Sequence, residues 1–164
     1  MGVEIEVRLA EIRVIDCPDD FLVAHGLGSC ICICAYDPSI RLAAMAHVVL
    51  PESHDESGSA GKCADTAVPA LVEALEKRGG SADLVRIAIS GGADISSIIG
   101  NGVKLEMGRR NSEAVKRALV ELRMSVVASE LGGTSARSVY FGGDGQVRVM
   151  VVGEEERVLV NLAN

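Results

Sequence analysis

The chain has 164 residues, a formal net charge of -7 and 48% hydrophobic residues, a composition typical of one globular domain. The acidic balance, without basic clusters, argues against nucleic-acid binding, because phosphate backbones repel negative charge. No apolar run approaches the roughly 18 residues that a membrane-spanning helix needs, and the first residues lack the pattern of a signal peptide. We therefore expect one domain, residues 1–164, that stays in the cytoplasm without membrane insertion.

The first third of the chain carries the pattern of several β-strands. Residues 4–15 alternate apolar and charged side chains, a period of two that predicts a half-buried strand. Apolar stretches at 21–23, 31–36 and 42–50 predict further strands, separated by turn-forming residues. A glycine-rich turn, HGLGSC at 25–30, leads into the strand at 31–36.

A helix follows a polar connection in the middle of the chain. Residues 52–63 are small and polar, which predicts a mobile surface loop, and loops of about twelve residues are often functional. Asp65 or Thr66 is expected to cap a helix that ends near Arg78, since apolar residues recur there at i, i+3, i+4 and i+7. Gly79 supplies the left-handed residue that commonly ends a helix.

The second half of the chain combines one more helix with strands. Residues 84–90 predict a buried strand, and a helix is expected to begin at Asn111 or Ser112. Strands at both ends of the chain, with two helices between them, favour one α+β domain. The remaining predicted strands are 125–129, 138–141, 146–152 and 157–162, with a hairpin turn at 142–145.

Cys30 is a candidate nucleophile because it follows the glycine-rich turn and precedes an apolar strand. A thiol there lies at the mouth of a strand, and the turn leaves room for a substrate beside Gly28 and Ser29, where a backbone N–H could stabilise an oxyanion. The alternative is a buried cysteine that packs as a small hydrophobe. The five cysteines are odd in number, form no CxxC pair and predict no disulfide framework.

Cys30, Cys32 and Cys34 share a parity, so a straight strand directs all three side chains to one face. This arrangement invites interpretation as a metal site. Zinc sites, however, usually draw pairs of ligands from tight turns, and the sequence holds no second cluster. We therefore expect no metal and no cofactor, with Cys32 and Cys34 packed in the core.

A nucleophilic cysteine needs a base, and the chain offers His25, His47 and His54. His54 lies in the polar loop, where solvation is expected, and His25 precedes the glycine turn. His47 interrupts an apolar run, so its imidazole needs a polar partner. A thiol on the adjacent strand would supply that partner, and a backbone carbonyl would serve equally well. These residues alone leave the two alternatives open.

Seven segments together resemble the chemoreceptor glutamine deamidase family, CheD, over about residues 22–140. They are long and occur in the family's order, so chance is a poor explanation. The segments are GLGSC at 26–30, DP at 37–38, AMAHVVLP at 44–51, GKCADTAV at 61–68, SGGA at 90–93, GRRNSEAVKRAL at 108–119 and GGTSARSV at 132–139.

The resemblance implies an α+β fold with two packed β-sheets and outer helices, similar to deamidating toxins with a catalytic cysteine. It implies that glutamines on cytoplasmic chemoreceptor helices are converted to glutamates, with release of ammonia. Cys30 corresponds to the family's nucleophile and His47 to its histidine. The implied partners are the receptors and CheC, a phosphatase of the response regulator CheY.

One position departs from the family's pattern. The family commonly has a threonine six residues before the cysteine as a third catalytic member, and this chain has Ala24 there. Alanine cannot hydrogen-bond an imidazole, so His25, Ser29 or a backbone carbonyl would have to orient His47. This departure leaves open a binding module for CheC or chemoreceptors with weak or no activity. A cysteine hydrolase of another amide is a separate alternative.

Overall fold

A computed structural model describes residues 1–55, 58–95 and 106–164. Ten strands and two helices are present in these residues. They are β1 Glu4–Glu6, β2 Ile12–Ile15, β3 Phe21–Leu27, β4 Ile31–Asp37, β5 Leu42–Val48, α1 Ala64–Glu76, β6 Arg86–Gly91, α2 Met107–Glu121, β7 Ser125–Leu131, β8 Arg137–Gly142, β9 Gln146–Val151 and β10 Arg157–Asn161.

The strands form two five-stranded sheets that pack face to face. One sheet has the order β1-β3-β8-β9-β10, and we call it the open sheet. The other has the order β2-β5-β4-β6-β7, and both helices pack against it, so we call it the helix-covered sheet. The predicted α+β fold, with two packed sheets and outer helices, is confirmed.

The helix-covered sheet is buried on both faces at its centre. Every residue of β4 and β5 is buried, which explains why these strands appear in the sequence as continuous apolar runs. Alternate residues of β4 point to opposite sides, so Ile31 and Ile33 pack under the helices while Cys32 and Cys34 pack against the open sheet. Two apolar layers therefore share one central sheet.

The single strand predicted at 4–15 is wrong. The segment forms two strands in different sheets, with β1 parallel to β3 in the open sheet and β2 antiparallel to β5 in the helix-covered sheet. Residues 7–11 cross between the sheets, and Ala10 adopts a positive φ of 67° there. The alternation changes phase at this crossing, because the apolar positions are odd-numbered up to Leu9 and even-numbered from Ile12. Period two reports side-chain faces and carries no information on which sheet the chain joins.

The second helix begins earlier than predicted. It starts at Met107, and Asn111 and Ser112 lie inside it rather than at its N-terminus. Local preference favours these residue types as caps. Here both side chains are buried, and Asn111 bonds to two backbone carbonyls outside the helix, while Ser112 bonds to the carbonyl of Gly108 in the same helix. For Asn111, tertiary contacts therefore override the local signal.

The other elements agree with the predictions to within a few residues. The first helix begins at Ala64, and Gly79 follows it with a φ of 93°, as expected for a helix end. The hairpin at 142–145 joins the antiparallel strands β8 and β9. The predicted loop at 52–63 includes residues 56–57, which lie outside the described residues. Among the described helices, none is long and apolar enough to cross a membrane.

Candidate active site

Cys30 lies at the point where the chain passes from one sheet to the other. Strand β3 of the open sheet ends at Leu27, and β4 of the helix-covered sheet begins at Ile31, so the turn 28–30 bridges the two layers. The Cys30 side chain is half-buried and packs against the apolar layer between the sheets. The predicted location of this thiol at the mouth of a strand agrees with the structure.

Three hydrogen bonds fix the backbone of this turn. The carbonyl of Gly28 accepts from the N–H of Ala93 at 2.8 Å, and that of Cys30 accepts from the N–H of Gly92 at 2.9 Å. The carbonyl between them, that of Ser29, accepts from the side-chain amide of Asn111 at 2.9 Å. All three donors belong either to the residues that follow β6 or to α2.

The close approach of the residues after β6 requires glycine. Gly91 has a φ of 123°, a conformation that residues with a Cβ rarely adopt. A Cβ at Gly91 would also collide with the carbonyl oxygen of Cys30. The SGGA segment of the sequence therefore has a clear role, which is to bring the backbone of β6 against the turn that carries the thiol.

His47 is held by main-chain groups of the segment 7–11. Its side chain is only 4% exposed, and Nδ1 lies 3.0 Å from the carbonyl oxygen of Val7. Because a carbonyl can only accept, Nδ1 carries the proton and Nε2 keeps its lone pair. The backbone of His47 also donates to the carbonyl of Glu11 and accepts from the N–H of Ala10. The ring is therefore fixed in the tautomer that a general base needs.

The structure brings Cys30 and His47 to one cavity of about 340 Å³. Cys32 lies directly opposite His47 on the neighbouring strand, which makes Cys30 the diagonal neighbour of His47 on the same face of the sheet. His25 also lines the cavity, but it is exposed and lies 3.6 Å from a carboxylate oxygen of Glu4. The remaining lining residues are Glu6, Val7, Arg8, Leu9 and Gly26.

Gly28 and Ser29 lie in the turn before Cys30 but are not among the residues that line this cavity. Cys32 and Cys34 are buried between the sheets with their sulfur atoms 3.8 Å apart, as expected for core residues. Within residues 1–55, 58–95 and 106–164, no group of three or more His, Cys, Asp and Glu side chains could hold a metal ion.

Burial sets the protonation of the resting pair. Loss of solvation raises the pKa of the Cys30 thiol, and the backbone amide of Cys30 offsets this only in part. Loss of solvation lowers the pKa of His47, while the Val7 carbonyl and the charges of Glu11 and Glu6 act in the opposite direction. Both shifts favour the uncharged forms, a thiol and a neutral imidazole.

Ala24 does not leave His47 without a partner. The alanine is fully buried in β3, pairs with Val139 of β8 and belongs to the apolar layer between the sheets. The carbonyl of Val7 instead accepts the hydrogen bond from Nδ1. Sequence patterns do not reveal such a group, because every residue has a carbonyl and only the fold determines which one faces the ring.

A second cysteine also shares a cavity with a histidine. Cys63 and His54 line a space of about 370 Å³ between residues 50 and 66. Cys63 is 7% exposed, and His54 is exposed, in agreement with the prediction that His54 is solvated. Burial raises the pKa of the Cys63 thiol. We find no hydrogen bond among the described residues that would orient the ring of His54, which distinguishes this pair from Cys30 and His47.

Comparison with known proteins identifies the family. The family model for CheD, described as chemotactic sensory transduction, matches residues 49–151. A Symbiobacterium thermophilum protein named probable chemoreceptor glutamine deamidase CheD is 42% identical over 157 residues, 93% of this chain and 95% of the relative. The chemoreceptor glutamine deamidase CheD of Thermotoga maritima is 40% identical over 138 residues, 84% of this chain and 85% of the relative.

Among solved structures, the crystal structure of the Bacillus licheniformis hypothetical protein YfiH aligns with a TM-score of 0.45 and 18% identity, over 73% of this chain and 51% of that chain. The family model covers more than half of the chain but begins after Cys30 and His47. The alignments with the two relatives cover most of this chain and most of each relative. This chain is a member of the CheD family, as the motifs in its sequence predicted.

Proposed function

We propose that this chain is a protein-glutamine deamidase that converts specific glutamines of methyl-accepting chemotaxis receptors to glutamates and releases ammonia. The names of its CheD relatives support this substrate. The observation that carries the proposal is the shared cavity of Cys30 and His47, in which the Val7 carbonyl leaves Nε2 free to accept a proton. Because the substrate is a cytoplasmic receptor helix, we place the enzyme in the cytoplasm.

The proposed reaction proceeds through a thioester. As the sulfur of Cys30 attacks the side-chain amide carbon of glutamine, Nε2 of His47 accepts the thiol proton. The carbonyl oxygen becomes an oxyanion beside the N–H of Cys30. His47 then donates its proton to the nitrogen, ammonia leaves and a thioester remains. Water, deprotonated by His47, attacks the thioester, and glutamate leaves as the thiol is restored.

Ammonia release from a receptor fragment tests this proposal. The wild-type chain should release ammonia from a cognate cytoplasmic receptor fragment, whereas Cys30→Ser and His47→Ala should release none above background. Circular dichroism of each variant checks that the fold is retained. Undiminished release by Cys30→Ser would exclude Cys30 as the nucleophile.

We also propose a CheC-type phosphatase of CheY as a partner, on the basis of family membership. We infer that CheC covers the same surface as the receptor, around the cavity of Cys30. Addition of a CheC-type phosphatase should therefore slow alkylation of Cys30 by iodoacetamide and inhibit deamidation in parallel. Unchanged alkylation at a saturating concentration of the phosphatase would contradict a shared surface.

The alternative, a binding module without activity, rests on Ala24 alone. The contact between Nδ1 of His47 and the Val7 carbonyl weakens this argument, because the imidazole has an orienting partner without a threonine. We therefore favour the active enzyme. Deamidation by the wild-type chain in the experiment above would rule out the binding-only alternative, and mass spectrometry of the fragment would separate glutamine deamidation from hydrolysis of another amide.

A further inference from the structure

Within the described part of the chain, Asn111 is the one side chain that bonds both to the turn of the nucleophile and to the residue that follows the strand of the base. Its Nδ2 donates to the carbonyl of Ser29, directly before Cys30, and to the carbonyl of Val49, two residues after His47, each at 2.9 Å. The side chain is fully buried in α2. It is therefore a direct link between the two halves of the site.

The bond to Ser29 determines the direction of a second group. A trans peptide is planar, so its C=O and the following N–H point in opposite directions. The Ser29 carbonyl points toward α2 and Asn111, and the N–H of Cys30 therefore points away from α2. That is the side of the open sheet, on which Cys30, His47 and the residues of the segment 7–11 enclose the cavity.

This N–H lies close to the sulfur because both groups belong to Cys30. In agreement with that proximity, the backbone amide of Cys30 lowers the pKa of the thiol. In the tetrahedral intermediate, the oxyanion is bonded to the same carbon that the sulfur attacks. A donor held beside the sulfur is therefore also near the oxyanion.

The buried amide of Asn111 is not optimised for stability. Its Oδ1 has no hydrogen-bond partner among the described atoms, although it is fully buried. A buried polar atom without a partner destabilises a fold. Residues that depart from local stability in this way tend to occur at functional sites.

We propose that Asn111 is a positioning residue that holds the Ser29–Cys30 peptide so that the Cys30 N–H binds the oxyanion of the deamidation intermediate. This inference rests on the proposed function, since it requires Cys30 to be the nucleophile. Gly28 and Cys30 have their carbonyls fixed by main-chain donors, whereas the Ser29 carbonyl depends on a side chain. Mutation of Asn111 alone can therefore change the orientation of the oxyanion donor.

The test compares Asn111→Asp with Asn111→Ala and the control Ser112→Ala. Asn111→Asp keeps the shape of the side chain but replaces its amide donor by oxygen, and Asn111→Ala removes the group. Ser112 is also buried in α2, but among the described residues its hydroxyl bonds only to Gly108 of the same helix. Deamidation of the receptor fragment, the alkylation rate of Cys30 by iodoacetamide and circular dichroism are measured for each variant and for Cys30→Ser.

Loss of one oxyanion donor typically lowers kcat about 100- to 1,000-fold. We expect a fall of this size in both Asn111 variants, with KM within threefold of wild type. Alkylation should fall far less than deamidation, because it forms no oxyanion and depends on the Cys30 N–H only through the pKa of the thiol. Ser112→Ala should match wild type.

If Cys30→Ser is inactive, any of three results in the Asn111 variants would overturn the inference. These are deamidation within threefold of wild type, an equal loss of alkylation and deamidation, and loss of folding in both variants. Activity that survives in Cys30→Ser would instead contradict the proposed function.

Discussion

Residue 24 lacks a hydroxyl, yet His47 keeps an orienting partner because the Val7 carbonyl accepts its Nδ1 proton. The geometry thus separates two roles that one threonine would combine, which are filling the core and orienting the ring. Ala24 fills the core, and a main-chain group orients the ring. The substitution is therefore compatible with a working imidazole.

This division of roles predicts the effect of restoring the hydroxyl. Ala24→Thr should not raise turnover by more than threefold, since Nδ1 is already occupied. Ala24 is fully buried in a packed layer, so the larger side chain should lower the free energy of unfolding by about 1–3 kcal/mol. Ala24→Val is the matched control, because it adds the same volume without the hydroxyl. A tenfold gain of turnover in the threonine variant alone would contradict this account.

The pKa shifts of the two site residues predict an uncharged resting pair. Burial raises the pKa of Cys30 and lowers that of His47, so at neutral pH the thiol keeps its proton. The thiolate absorbance of Cys30 in the ultraviolet is the difference between wild type and Cys30→Ser. As the pH rises, this absorbance should appear only above the pKa range of an ordinary thiol. A thiolate signal already present at neutral pH and lost only in acid would instead indicate a thiolate–imidazolium pair.

His47 should lose its function as a base in acid. Its pKa is lowered, so the ring becomes protonated, and unable to accept the thiol proton, only below the range of an ordinary histidine. The rate of deamidation should therefore fall with decreasing pH below that range. The pH profile of kcat for wild type measures this fall, and a rate that stays constant below that range would contradict the role of His47.

At the scale of elements, the site depends on a segment that crosses between the sheets and on a strand end that packs against the turn of Cys30, as well as on the strands themselves. Residues 7–11 cross between the sheets and cover His47, and the end of β6 lies against the turn before β4. Both arrangements use positive φ angles, at Ala10 and at Gly91. Local backbone conformation is therefore part of the geometry of the proposed site.

Replacement of Gly91 should damage the site and not only the fold. Gly91→Ala introduces a Cβ at positive φ that collides with the Cys30 carbonyl, so the turn must move. Gly79→Ala is the control, because Gly79 also has positive φ but has open space where its Cβ would lie. Both should lose roughly 1–2 kcal/mol of stability from the backbone conformation. We expect at least a tenfold lower kcat for Gly91→Ala and an unchanged kcat for Gly79→Ala, and equal rates would contradict this role of Gly91.

At the scale of the whole molecule, one sheet joins two apolar layers. Leu71 of α1 packs on one side of the helix-covered sheet, and Phe141 of β8 packs against its other side. Because β4 and β5 belong to both layers, neither layer can be lost alone without exposing the shared strands. Unfolding should therefore be a single cooperative event.

Large-to-small substitutions in the two layers test this cooperativity. Leu71→Ala should lower the free energy of unfolding by about 2–5 kcal/mol, and Phe141→Ala by about 3–5 kcal/mol. Each variant should still unfold in one transition, detected by circular dichroism and by the reactivity of buried thiols at the same denaturant concentration. Two separate transitions would show that the layers are independent.

The sequence predicted those parts of the molecule that local chemistry determines. The continuous apolar runs became β4 and β5, the end of α1 shortly before Gly79 followed from helix chemistry, and the family motifs marked Cys30 and His47. The crossing at 7–11 was missed because alternation does not specify a sheet. The start of α2 was missed because Asn111 resembles a cap, although tertiary contacts had recruited it to the core.

The partner of His47 was beyond any sequence pattern, as a main-chain carbonyl has no residue type. The same holds for the direction of the Cys30 N–H. Both groups are positioned by contacts between segments far apart in the chain, 40 residues apart for Val7 and His47 and 82 for Ser29 and Asn111. The geometry of the proposed chemistry thus comes from the fold, and the motifs identify only its reacting side chains.

The most direct test of the central claim uses the two cysteines that share cavities with a histidine. A receptor fragment is incubated with wild type, Cys30→Ser or Cys63→Ser, and its peptides are mapped by mass spectrometry for glutamines that have become glutamates. We predict the same converted glutamines with wild type and Cys63→Ser, and no conversion with Cys30→Ser. Conversion by Cys30→Ser at the wild-type rate, or its loss in Cys63→Ser alone, would contradict the assignment of Cys30 as the nucleophile.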